Sequence, residues 1–246
     1  MRIGLLSDIH ANREAFDACL EAVDEATCDR LVVLGDLVGY GPDPVYVLDR
    51  VRELAHRGAL VVRGNHDDYA VQPRRGMSER AKEAIDWTHA RLDADAKAYL
   101  AALPLTIEDE DRLYVHASAA DPANWTYVDD EDAAAASFAA TRARLILCGH
   151  THVPSLYHSL AGRRPQYFRP LPNRPIPLSA TRRYLLVLGA VGQPRDRNPN
   201  ACWGLLDTRE KTVAVMRQPY DVETTMRKIN DAGLPEWLAR RLAEGR

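Results

Sequence analysis

The sequence predicts an α/β fold, and three observations carry that prediction. Short apolar runs alternate with amphipathic helical stretches along the first part of the chain, the pattern of a parallel sheet with right-handed crossovers. The second half turns to closely spaced strand-like segments broken by prolines. With 246 residues, 46% hydrophobic and 27% charged, the chain can bury a sizeable core as one compact domain.

Taken in order, Arg2 to Leu6 is an apolar run that fits a buried strand. Arg13 to Ala26 places Phe16, Leu20 and Val23 on one helical face, with Asn12 before it as N-cap. Leu31 to Leu34 is a second strand, closed by Gly35-Asp36. Pro44 suits the first turn of a helix whose Val47, Leu48, Val51 and Leu54 share a face. Leu60 to Val62 is a third strand that runs into Arg63-Gly64-Asn65-His66. Two helices, Ser78 to Leu92 and Asp93 to Leu103, form a helical insertion at about 72–103 that ends before Pro104. Leu105 to Ile107 and Leu113 to Val115 flank an acidic turn and predict a hairpin. Asp129 to Thr141 is alanine-rich and helical, and Leu145 to Leu147 is a buried strand ending in Gly149-His150. Strands at Tyr184 to Leu188, Trp203 to Leu206 and Thr212 to Met216 follow, the last two joined by a hairpin turn at Asp207 to Lys211. Asp221 to Ala232 and Pro235 to Leu242 are closing helices separated by Gly233.

Charge and cysteine usage bound the function. A net charge of -3 argues against a large nucleic-acid-binding face. Cys19, Cys28, Cys148 and Cys202 show no CxxC spacing, so a zinc-thiolate site or dithiol redox pair is not expected; reduced thiols suit a reducing cytoplasm. The apolar run from Ile3 to Leu6 is too short for a signal-peptide core, and no stretch approaches a membrane span. A cytoplasmic protein without membrane partners is the expectation.

Four runs carry the chemistry: Asp8-Ile9-His10, Gly35-Asp36, Gly64-Asn65-His66-Asp67 and Gly149-His150-Thr151-His152. Each holds carboxylate, imidazole or carboxamide groups that ligate hard or borderline cations, and each follows a predicted strand, all expected at the same edge of one sheet. Singly, each has an ordinary structural reading. Asp8 could cap a helix, Asp36 could satisfy loop amides, Asn65 could form a turn, and the His150/His152 pair could be solvated. Four such loops at strand ends in one α/β pattern favour a shared metal site. Asn12 is read as a cap rather than a ligand, and His56, His89 and His158 fit no motif.

In this order, Asp-x-His, Gly-Asp, Gly-Asn-His-Asp, a later His and Gly-His-x-His resemble the calcineurin-like metallophosphoesterases. The wording Gly35-Asp36-Leu37-Val38-Gly39-Tyr40-Gly41-Pro42 and Val191-Gly192-Gln193-Pro194-Arg195-Asp196 is similar to bacterial stand-alone members of about this length. The resemblance covers nearly the whole chain, through Gly233-Leu234-Pro235-Glu236-Trp237. It implies a four-layer αββα sandwich of two mixed β-sheets flanked by helices, built as a single domain over 1–246. One divalent ion would take Asp8, His10 and His152, the other Asn65, His116 and His150, with Asp36 bridging both. His116 is placed only by this pattern, since Tyr114-Val115-His116 carries slight signal of its own. His66 would be the general acid, with Asp67 orienting it.

A dinuclear centre of this kind activates a hydroxide for in-line attack on phosphorus. The nitrogen and oxygen ligand set without thiolate suits Mn²⁺, Fe or Zn²⁺. The implied function is hydrolysis of a phosphomonoester or phosphodiester on a small or nucleotide-like substrate. A non-catalytic metal-binding scaffold of the same fold and a nuclease are the alternatives. Ala117-Ser118-Ala119 and Leu188-Gly189-Ala190-Val191 depart from common family wording and bear on loop shape. Gly39-Tyr40-Gly41 and Asn65-His66-Asp67 differ from the protein-phosphatase branch. The substrate pocket is expected between the Gln72 to Ala102 helices and the Ser118 to Val128 loop, with Trp125, Tyr127 and Arg195 as candidate lining residues.

Overall fold

The computed structural model describes residues 1–72, 79–160 and 163–246. Among them, twelve strands form two six-stranded sheets. The first sheet contains β1 (Arg2–Leu6), β2 (Arg30–Val33), β3 (Leu60–Val61), β9 (Ile176–Pro177), β11 (Ala201–Asp207) and β12 (Thr212–Gln218), in the order β3-β2-β1-β11-β12-β9. The second contains β4 (Thr106–Asp109), β5 (Arg112–Val115), β6 (Leu145–His152), β7 (Ser155–Leu160), β8 (Gln166–Phe168) and β10 (Arg182–Gly189), in the order β4-β5-β6-β10-β7-β8. Both sheets are mixed. β1, β2 and β3 run parallel while β1 and β11 are antiparallel; β5, β6 and β10 run parallel while β10 and β7 are antiparallel.

Strand alternation sorts the side chains into layers. Ile3, Leu5 and Val32 of the first sheet meet Leu145, Leu147, Tyr184 and Leu186 of the second in a core between the sheets. The opposite face of the first sheet, with Leu6 and Val33, packs on α1 (Arg13–Glu25) and α2 (Pro44–His56) through Phe16, Leu20, Val47 and Val51. Ile146, Cys148, Leu185 and Val187 face outward from the second sheet and pack on Ala134 and Phe138 of α6 (Glu131–Ala140). The order is therefore helix, sheet, sheet, helix, the four-layer sandwich anticipated above. Leu186 is 2% exposed in the central layer. Leu186→Ala is expected to cost about 2–5 kcal/mol, from lost transfer energy plus a cavity, measurable by urea denaturation.

α3 (Asn65–Val71), α4 (Glu79–Arg91) and α5 (Ala94–Ala102) follow β3. The expected start of α4 at Ser78 lies outside the described residues. α7 (Val222–Asp231) and α8 (Glu236–Glu244) pack on α4 through Ala84, Ile229, Leu234 and Leu238. No helix among the described residues is long and apolar enough to cross a membrane.

One expectation changes. The ligand-rich loops do not all leave one sheet edge. Asp8, His10, Asp36 and Asn65 follow β1, β2 and β3 of the first sheet, whereas His116 follows β5 and His150 and His152 lie within β6 of the second. Strand β6 also runs on through both histidines instead of stopping at Leu147.

Candidate metal centre

The backbone at the ends of these strands is turned to bring side chains together. Asp8, His10, Ala11, Asp36, Tyr40, His150 and His152 all have φ between 50° and 70°. Left-handed backbone costs a non-glycine residue roughly 1–2 kcal/mol each, and such strain gathers at functional sites. Two glycines permit the convergence. A Cβ on Gly64 would strike the Asp36 amide and carboxylate, and one on Gly149 would strike Ser7 Oγ and Asp8 Oδ2.

Two groups of ligand atoms result, each within 4.8 Å: Asp8, His10, Asp36 and His152, and Asp36, His116 and His150. Asn65 joins the second group, its Oδ1 3.1 Å from His116 Nε2. Asp36 belongs to both groups, with Oδ2 3.6 Å from His10 Nε2 and 3.3 Å from His116 Nε2. All of these side chains are buried.

The donor set fits a cation. The Nδ1 atoms of His10, His116 and His152 lie 3.2, 2.7 and 2.6 Å from the carbonyls of Val38, Leu34 and Gln193. A carbonyl only accepts, so each Nδ1 carries the hydrogen and each Nε2 presents a lone pair. His10 Nε2 and His152 Nε2 then face each other at 3.2 Å with no hydrogen between them. Asp8 Oδ1 sits 3.2 Å from His152 Nε2 and has no hydrogen-bond partner. Buried acceptors aimed at one another repel unless positive charge sits among them.

The protonation preferences keep His10, His150 and His152 neutral, whereas His116 favours its charged form beside Asp36. Burial raises Asp8 and Asp36, but the histidines beside them, His152 for Asp8 and His116 for Asp36, hold both below the usual carboxylate range. Burial lowers His116, yet the Asp36 charge outweighs it and brings His116 up to about 9. Burial lowers His10 and His152, and it takes His150 to about 3 and His66 to about 4.

His66 stands at the rim, 4.8 Å from the His10 ring and 4.3 Å from Tyr40, ring centre to ring centre. Its Nδ1 is buried without a hydrogen-bond partner, and its amide donates to Asp36 Oδ1 at 2.8 Å. Asp67 has a different setting from the one anticipated. Its carboxylate accepts from the amides of Leu37, Val38 and Gly64 at 2.8, 3.2 and 2.9 Å rather than from the His66 ring. Burial, helped by the nearby Asp36 charge, raises it to about 7. Asn12 is committed to the cap, accepting from Ala15 N at 3.1 Å while donating to Gly192 O. His56, His89 and His158 bond elsewhere, to Arg52 O, Ala70 O and Arg182.

A cavity of about 650 Å³ opens beside the centre. Tyr127, Thr151 and Arg195 border it, and the Tyr127 ring stacks on His150 at 4.2 Å and 12°. The lining differs from expectation. The loop before α6 contributes Tyr127 and Val128, but Trp125 instead packs edge-on to His116 at 6.0 Å. The helices between 79 and 102 contribute no lining residue among those described, and strands β7 and β8 take their place. Ser7, which donates to Asp8 Oδ2 at 2.6 Å, and the three carbonyls that orient the imidazoles were not anticipated. Backbone acceptors leave no residue-type signal in a sequence.

Residues 1–211 match the model of the calcineurin-like phosphoesterase superfamily domain. The chain belongs to that superfamily. It is thereby a phosphoester hydrolase of a metal-dependent family. It is 32% identical to an uncharacterized protein of Methanocaldococcus jannaschii, covering 99% of this chain and 98% of the relative. It is 25% identical to the phosphodiesterase YfcE of Escherichia coli, covering 84% and 88%. Among solved structures, a metallophosphoesterase from Sphaerobacter thermophilus superposes with a TM-score of 0.86 at 35% identity, over 100% of this chain and 99% of the other.

Proposed function

We propose that the chain hydrolyses phosphomonoesters or phosphodiesters of small or nucleotide-like alcohols with two divalent ions. The observation that carries this reading is the set of buried acceptors facing one another across two adjoining groups. In the proposed assignment Asp8, His10 and His152 hold one ion, Asn65, His116 and His150 the other, and Asp36 serves both. Mn²⁺, Fe or Zn²⁺ suits the nitrogen and oxygen donors. When bound, such ions supply Lewis acidity towards phosphate oxygens and a water of lowered pKa.

The protein's own groups do the rest. Carbonyls of Val38, Leu34 and Gln193 fix three imidazoles in the ligating tautomer. Asp67 pins the Leu37-Val38 turn to the start of α3 and so positions His66 through the backbone. His66 delivers a proton to the leaving oxygen. Burial keeps it neutral in the empty pocket at pH 7, and an anionic phosphate beside it would favour its charged form. Arg195, at the cavity edge with its Nε buried and without a partner, offers a cation to the same phosphate. Free cysteines without a disulfide suit a reducing cytoplasm.

The test is metal analysis with turnover of p-nitrophenyl phosphate and bis-p-nitrophenyl phosphate under added Mn²⁺ or Zn²⁺. Turnover that requires the ion supports the reading. Bound metals with no turnover of either ester would establish the scaffold alternative. Chelation is expected to abolish activity and lower Tm, because an ion at about 100 times its Kd adds about 2.7 kcal/mol to the folded state. Scanning calorimetry before and after re-addition of metal measures this.

A further inference from the structure

The cavity beside the centre is lined by groups of unlike charge. Arg195 lies at the metal end, next to Thr151 between His150 and His152. Asp129 and Glu131 also line it, near enough to Tyr157 to act on its hydroxyl, and their carboxylates have no hydrogen-bond or ion-pair partner among the described residues. Three tyrosines share the lining. Tyr127 presents the face not covered by His150, Tyr167 is 48% exposed, and Tyr157 lies 5.6 Å from Tyr167, ring centre to ring centre.

Tyr157 is the informative member. It is 1% exposed, it lines the cavity, and its hydroxyl makes no hydrogen bond to any described residue. A hydroxyl that opens to a cavity from an otherwise buried ring can bond to a ligand there. Burial, with Tyr167 and the three acids at 129 to 131 adding to it, pushes the phenol up to about 12, so it stays neutral and polar.

Charge selects the ligand. A second phosphate would meet the carboxylates of Asp129 and Glu131 and be repelled, whereas an ammonium group is attracted to them and to the tyrosine faces. The volume of about 650 Å³ admits an ester substituent well beyond a single phosphate. We propose that this cavity is a subsite for a cationic alkylammonium substituent of a phosphoester, so that the preferred substrates are zwitterionic phosphodiesters. The proposal rests on the phosphoesterase reading above. The phosphate sits at the metal end near Arg195, and the ammonium lies among Tyr127, Tyr157 and Tyr167 with Asp129 and Glu131 as counter-charges.

The experiment compares three chromogenic diesters that share the p-nitrophenolate leaving group: p-nitrophenyl phosphorylcholine, thymidine 5′-p-nitrophenyl phosphate and bis-p-nitrophenyl phosphate. The expected result is a kcat/KM for the choline ester about 10-fold above the other two. In the double variant Asp129→Asn, Glu131→Gln that ratio falls towards one. Preference for the thymidine ester, or equal use of all three, overturns the proposal. In parallel, choline chloride is titrated into the wild-type protein and the double variant under saturation-transfer NMR. Contact seen only with the wild type supports the subsite, and contact with neither protein or equally with both overturns it. If no ester is turned over while choline still binds in a carboxylate-dependent way, the hydrolase reading fails and the subsite stands.

Discussion

Asp36→Asn is expected to cost the protein its metal content and at least about 10³-fold in kcat/KM, about 4 kcal/mol of transition-state stabilisation. Asp36 is the one residue common to both ligand groups. Its Oδ2 stands between His10 Nε2 and His116 Nε2, while Oδ1 is held by the His66 amide. A carboxamide keeps the shape but removes the charge. Its NH₂ can also donate to one of the facing imidazole nitrogens, so the cluster satisfies itself without a cation. The metal-free variant should fold with an unchanged far-UV CD spectrum but a Tm below that of the chelated wild type, because the charge pairing of Asp36 with His116 is lost. Elemental analysis decides the matter: full metal occupancy with wild-type turnover would remove Asp36 from the shared position.

His66→Ala should separate chemistry from metal binding. His66 meets the cluster through the hydrogen bond its backbone N–H donates to Asp36 and through its ring against His10. Its removal leaves every proposed ligand in place, so metal content should match the wild type. Loss of a general acid lowers kcat by about 10² to 10⁴. The loss depends on the leaving group. It should be small for p-nitrophenolate, which departs without protonation, and largest for an alkyl ester, whose alkoxide does not. On the alkaline side the wild-type kcat should fall as His66 loses its proton in the substrate complex, and the variant should lack that limb. Wild-type activity of His66→Ala on an alkyl ester would assign the acid elsewhere.

How far the sequence disclosed this arrangement differs from residue to residue. Alternating apolar runs and helical faces were legible because the two periodicities are local, and the cap at Asn12 marks a helix start chemically. The motif residues were legible because each run follows a predicted strand, and three of the four runs open on a glycine. His116 was not, since a histidine closing an ordinary strand looks structural; only the family pattern placed it. The partners of Asp67 escaped because they are backbone amides brought near by tertiary folding. The cavity walls escaped for a related reason. Tyr157 and Tyr167 belong to strands whose place in the second sheet is set by long-range pairing, through β10 on one side and one another on the other. Nothing local announces that those strands, rather than the nearby helices, border the centre.

More than half the chain separates Asp8 from His152, and the two come from different sheets. During synthesis the amino-terminal layer can collapse on its helices well before the ribosome has made β6, but the coordination sphere cannot close until that strand emerges and the layers dock. Ion uptake is therefore a late step of maturation. A nascent chain that ends before β6 lacks His150 and His152, one proposed ligand of each ion, and it has little means of sequestering scarce metal before it can use it.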